Sequence, residues 1–322
     1  MRTDYGGISM ATKESIIKSV PITVERVSAL PDRLTLAAFA FFVILAAGAP
    51  VAIRFTYAEL PPFWSATARF GSGALVFWVL VLFRKIQMPR GQALFGAILF
   101  GILSVGGAFV LVSWGLVKTP ASLTSVLLAL MPLLTIFLAY LQGLESLRWQ
   151  GLLGSLLAVV GIAVVFGGSA GGTLSIPRVL AIIAAAAFLA EAGVVAKKFP
   201  RSNPIAMNAI AMTVGVVILG MVSLLSGERW VVPSWANTWI ALAYLVFLVT
   251  VIGFLLYLFV LRRWTASGTS YGFVMSPLIT VILAAQLAGE QITSSFIVGA
   301  GLVLSGVVFG ALLPSKARDS AD

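Results

Sequence analysis

Residues 121–161 read ASLTSVLLALMPLLTIFLAYLQGLESLRWQGLLGSLLAVVG, and residues 266–306 read ASGTSYGFVMSPLITVILAAQLAGEQITSSFIVGAGLVLSG. A shift of 145 residues lays one on the other without a gap. Ala121-Ser122 falls on Ala266-Ser267, Thr124-Ser125 on Thr269-Ser270, and Pro132-Leu133 on Pro277-Leu278. Thr135 then meets Thr280, Glu145 meets Glu290, Gly154 meets Gly299 and Gly161 meets Gly306. Shared apolar composition produces chance matches among Leu, Val and Ala. It does not readily set a proline, a glutamate and two glycines in register. The chain is therefore a duplication, and repeats are the first thing that constrains a fold.

Working outward, each copy closes one half of the chain. Ten apolar spans are read: 34–56, 61–83, 93–116, 121–142, 149–167, 178–196, 205–226, 236–260, 269–288 and 294–313. About 20 apolar residues cover about 30 Å of hydrocarbon. The spans are apolar all round, so helical periodicity is silent inside them. Their length excludes barrel strands, which would alternate over about ten residues. The fold expected is an all-α polytopic membrane protein of ten transmembrane helices. The first repeat occupies 34–167 and the second 178–313, between polar tails 1–33 and 314–322. Five spans per half is an odd number, so the second half enters the membrane from the opposite face. That is an inverted-topology repeat, a plan common among secondary transporters.

Composition agrees. Hydrophobic residues make up 60% of the 322 and charged ones only 10%, too few to clothe a water-soluble surface. The net charge of +10 would suggest nucleic acid in a soluble protein. Here it sorts by side. With the N-terminus in the cytoplasm, 16 Lys and Arg lie inside, four (Arg54, Lys118, Arg178, Arg229) lie outside, and Arg69 lies within a span. This bias sets the orientation and places both termini in the cytoplasm of a plasma or inner membrane. No cysteine or histidine is present, and all four Asp (Asp4, Asp32, Asp319, Asp322) sit in the tails. Thiol and histidine nucleophiles and Cys/His metal sites are excluded. No Gly-x4-Gly-Lys-Ser/Thr loop occurs, so no Walker-type ATP site is expected.

A few residues interrupt the apolar pattern. Pro50, Pro132 and Pro277 lie inside spans, where a proline frees a backbone carbonyl. Such groups must face protein or a water-filled cavity, so the three read either as breaks lining a pathway or as packing kinks. Arg69 and Glu191 are charges within spans and usually face a bundle interior. Arg69 suits a carboxylate. Glu191 suits an amine or a coupling proton, or it pairs structurally or reaches toward Lys197. Ser125, Ser270 and Tyr271 offer neutral hydrogen bonds, and Trp114 and Tyr257 an aromatic wall. Glu145 and Glu290, just before the last span of each half, suit the positive N-terminal end of the next helix.

The closing pattern Ala-Ser … Pro … Glu … Gly … Gly in each half, the ten spans, and Pro62 with Ala68-Arg69-Phe70 resemble EamA-type permeases of the drug/metabolite transporter superfamily. One departure is Leu144-Glu145-Ser146, where the family commonly has Gly-Glu-Arg; the second half keeps Gly289-Glu290. The resemblance implies a secondary transporter with a central cavity between the halves, often an exporter of amino acids or other small metabolites. The partners expected are a small-molecule substrate, the lipid bilayer, a coupling proton and a second copy of the chain, with no cofactor and no nucleic acid. The rival reading is a non-transporting receptor or scaffold.

Overall fold

The computed structural model describes residues 32–142, 149–168, 175–264, 269 and 271–312. Glu145, Ala266, Ser267 and Ser270 lie outside the described residues, as do most of the two tails. Among the described residues all regular structure is helical, with no strand. The helices are α1 (Arg33–Thr56), α2 (Pro62–Phe83), α3 (Gln92–Leu116), α4 (Ala121–Leu128), α5 (Met131–Leu141) and α6 (Trp149–Gly168). They continue as α7 (Ile176–Lys198), α8 (Pro204–Leu225), α9 (Ala236–Arg263), α10 (Gly272–Ala288) and α11 (Ser294–Val307).

Seven stretches are long and apolar enough to cross a membrane: α1, α2, α3, α4 with the start of α5, α7, α8 and α9. Shorter apolar helices run over Leu153–Val165, Gly272–Ala288 and Ser294–Gly310. Large apolar side chains such as Leu75, Leu156, Leu180, Leu225 and Ile240 point outward. Such a surface suits lipid and would be a liability in water. The chain is a multi-pass membrane protein.

Local chemistry sets the helix starts. Asp32 caps α1, accepting from the Thr35 N–H and hydroxyl. Asn203 caps α8 by accepting from the Ile205 N–H, with Pro204 in the first turn, where its missing N–H costs nothing. Thr293 caps α11 through the Phe296 N–H. The span expected at 121–142 is two helices, α4 and α5, separated by a turn at 129–130. Pro132 sits in the first turn of α5, offers no N–H to the turn before it, and so ends α4 at Leu128. Pro50 and Pro277 lie inside unbroken helices.

Two departures from α geometry sit at matching places. Ile102–Ala108 within α3 and Tyr244–Ile252 within α9 are π-helical. A shift of 143 carries 102–108 onto 245–251, inside the second segment. A widened turn of this kind is rare and is found most often at functional sites.

Packing is most extensive where α6 meets α11, followed by α3 on α7, α3 on α8 and α2 on α8. On α6 and α11 the glycines interlock. Gly154 lies against Gly306, and Gly161 against Gly299. A Cβ on Gly161 would stand 2.6 Å from the Gly299 carbonyl oxygen. Rising residue numbers on α6 meet falling ones on α11, so the two helices run antiparallel. Small residues let the backbones touch, which is the usual basis of association where lipid replaces water.

One end of the bundle is tied by three carboxylates, each capping a helix distant in sequence. Glu59 accepts from the Ser234 and Trp235 N–H groups at the start of α9. Glu228 accepts from Phe63 and Trp64 at the start of α2. Glu290 accepts from the Ala121 N–H (2.7 Å), the Ser122 N–H (3.2 Å) and the Ser122 hydroxyl (2.6 Å) at the start of α4. Gly289, in the left-handed conformation at φ 63°, turns the chain out of α10 just before Glu290. Arg54 closes the Glu290 cluster at 3.4 Å.

Candidate functional site

A cavity lies in the middle of the helices. Side chains of α1, α2, α3, α4, α5, α7, α9 and α10 line it, so both halves of the sequence contribute. Its wall is almost wholly apolar, with Phe42, Phe100, Phe109, Phe254 and Phe273 among the larger groups. Polar groups are few: Arg69, Ser104, Thr124, Ser125, Tyr257 and Ser276. A large apolar pocket with a few convergent polar groups is the usual form of a small-molecule site.

Arg69 is the one charge among the described lining residues, and it is 3% exposed. It sits in the second turn of α2. Its Nε donates to Thr250 Oγ1 at 2.8 Å. Its guanidinium carbon lies 4.7 Å from the Phe70 ring centroid and 5.1 Å from that of Phe109. Thr250 belongs to the π-helical segment of α9, and Phe109 follows directly on that of α3. The two matching distortions thus meet at this arginine. The aromatic faces offset part of the cost of burying the cation. They leave the terminal nitrogens without an acceptor among the described residues.

The carboxylates are committed elsewhere. The described residues contain five: Asp32, Glu59, Glu191, Glu228 and Glu290. Four cap helices, and Glu191 accepts from the Gln142 side-chain amide at 2.8 Å. None lines the cavity. The hydroxyls divide in two. Ser104 donates to the Phe100 carbonyl, and Ser125 lies 3.1 Å from Thr280 Oγ1, itself bonded to the Ala47 carbonyl. Thr124 Oγ1 is buried without a partner among the described residues. The cavity is an apolar, aromatic chamber with one strong cation and a few neutral hydrogen-bonding groups.

The EamA-like transporter family model matches residues 34–167 and again 176–311, nearly the whole described chain. The chain belongs to the EamA-like transporter family. It is 26% identical over 268 residues to an uncharacterized inner membrane transporter, YedA, of Escherichia coli (strain K12), covering 81% of this chain and 85% of YedA. It is 27% identical over 268 residues to an uncharacterized transporter, YyaM, of Bacillus subtilis (strain 168), covering 79% and 86%. A probable terminal-alkyne amino-acid exporter of Streptantibioticus cattleyicolor is 27% identical over 229 residues, covering 69% and 75%. A solved crystal structure superposes with a TM-score of 0.64 at 20% identity, covering 87% of this chain and 96% of that one, which shows a shared fold.

Within this EamA-like transporter, the residues singled out from the sequence do not all meet. Arg69, Pro50, Ser125 and Tyr257 line the cavity. Glu191 does not, so it shares no cavity wall with Arg69. The side chain of Glu191 turns to Gln142 on the neighbouring α5. Trp114 faces outward at 37% exposure, its carbonyl accepting from Arg178 and its indole 4.8 Å beneath the Arg178 guanidinium. Tyr271 precedes α10, its ring edge-on to Trp264 and outside the cavity wall. Ser270 lies outside the described residues. The three in-span prolines read either as breaks lining a pathway or as packing kinks. Only Pro132 interrupts a helix, and it stands off the cavity wall; only Pro50 lines the wall, in an unbroken helix.

Sequence reading missed Thr250 and Phe109. Thr250 had a signal, the lone threonine inside the apolar run from Leu245 to Leu261. Phe109 had none, since one phenylalanine in an apolar span looks like any other.

Proposed function

We propose that this protein is a secondary transporter that moves a small metabolite, such as an amino acid, out of the cell by alternating access and without ATP. The observation that carries the proposal is the central cavity shared by both halves, with Arg69 held where their two π-helical segments meet. The name of the Streptantibioticus cattleyicolor relative supports export of an amino acid-like solute.

The architecture proposed is ten membrane helices in two inverted repeats, 34–167 and 178–313, with both termini cytoplasmic. Three observations support it. α6 and α11 carry the aligned glycines yet pack antiparallel, as equivalent helices of opposed halves would. Arg54 donates to the Thr119 carbonyl at 3.4 Å, and Lys197 donates to the Trp264 carbonyl at 2.6 Å. Arg54 falls on Lys197 under a shift of 143, and Thr119 falls on Trp264 under the shift of 145. The two π-helical segments coincide under the shift of 143. The substrate site proposed comprises Arg69, Ser125, Tyr257 and the Pro50 stretch of α1.

Counterflow in proteoliposomes tests this. Vesicles loaded with an unlabelled amino acid or organic acid should take up the labelled form transiently, without nucleotide. Protein-containing vesicles that match empty ones across a broad metabolite panel would contradict transport.

A further inference from the structure

The cavity's charge pattern says more about the solute than transport alone requires. Arg69 keeps its charge in proteins. A buried cation is costly unless an anion answers it. Among the described residues no anion does, because all five carboxylates are engaged away from the cavity. Nε is tied to Thr250, which fixes the plane of the fork. The two terminal nitrogens are left for a ligand, the arrangement that binds a carboxylate through two parallel hydrogen bonds. The rest of the wall is aromatic and aliphatic, from Phe109 and Phe254 near Arg69 to Phe42 and Phe273 on α1 and α10. An ammonium group placed there would meet hydroxyls and ring faces but no counter-charge.

We propose that the cavity selects amphipathic carboxylates, with the carboxylate on Arg69 and an apolar body against the aromatic wall, and that an α-amino group adds no affinity. This deepens the transport reading and rests on it. The amino group of an amino-acid solute is tolerated and does not confer recognition. The apolar tail contributes through area removed from water, about 25 cal/mol per Å².

A matched series on the purified protein tests the proposal by calorimetric titration. The probes are 3-phenylpropionate, its neutral amide, phenylalanine, acetate and chloride. The expected order is 3-phenylpropionate tightest, with the amide weaker by about tenfold or more because Arg69 goes unanswered. Phenylalanine should bind about tenfold more weakly than 3-phenylpropionate, since its ammonium is desolvated without a partner. Acetate and chloride should compete only weakly, for want of the tail. Arg69→Gln should abolish the preference for acid over amide. Should that variant fail to fold, the ligand series on the unaltered protein decides.

Equal binding of acid and amide would overturn the proposal, as would phenylalanine binding more tightly than 3-phenylpropionate. Chloride displacing the acid at equal concentration would mark an inorganic anion site instead and also overturn it. Absence of binding by every probe would overturn it too. Counterflow of any other solute would still uphold transport, so the two readings fail separately.

Discussion

Arg69 and the glutamates of the helix ends show how few charges this chain has and how differently it uses them. Glu59, Glu228 and Glu290 each answer free N–H groups at the start of a helix, where the backbone dipole favours an anion. Glu59 has lost some solvation, which acts to raise its pKa. Hydrogen bonds from Ser234 and Trp235 outweigh that and bring it down to about 2. A carboxylate lowered in the folded state adds stability that is fully present above its unfolded pKa of about 4.5. That stability is lost as pH falls from there through about 2. Wild type and Glu59→Gln should therefore differ in Tm at pH 7, and the gap should narrow as the pH is taken to 3. An unchanged gap would remove Glu59 from the account. The helix-end role of Glu290 was legible, because a glutamate before a span has an evident partner in the dipole. Its target was not. It caps α4, which lies far off in sequence, and only the tertiary fold brings the two together.

The helices themselves were legible almost to the residue where their ends carry chemistry, as at Pro62, Asn203-Pro204 and Thr293. What occurs inside them was not. A span that is apolar on every side gives no periodic signal, so the π-helical segments of α3 and α9 left no trace in the pattern. Pro132, which reads in sequence as either a break or a kink, is a full break, while Pro277 at the aligned position leaves α10 whole. Proline removes the same hydrogen bond in both, and the surrounding packing decides how the chain answers. The glycine contact of α6 with α11 yields a prediction for this scale. Gly161→Leu places side-chain atoms where the Gly299 backbone already stands and should cost about 1–3 kcal/mol or more through forced separation of the helices. Gly301→Ala, on the same α11 but with nothing within 4 Å of its added carbon, should leave Tm unchanged. Equal loss in both variants would contradict close packing at the aligned glycines.

For the molecule as a whole, the duplicated Pro, Glu and Gly pattern announced two related halves, and the family match at 34–167 and 176–311 follows the same division. The central cavity was harder to read. Its wall draws single residues from eight helices, most of them apolar and indistinguishable in sequence from residues that face lipid. Arg69 stood out because charge is expensive there. Glu191 stood out for the same reason, but its partner is Gln142 and not the cavity. A charge in a span marks a place to look, and the side chain's own partners decide its role.

The central claim is that both halves close in turn around this cavity. The chain has no cysteine, so a single one can be placed at will. Ser125→Cys, on the cavity wall, should react with a membrane-impermeant thiol reagent added from either face of oriented vesicles. A solute identified by counterflow should slow the reaction from both faces. Reaction from one face only, or from neither, would contradict alternating access through this cavity.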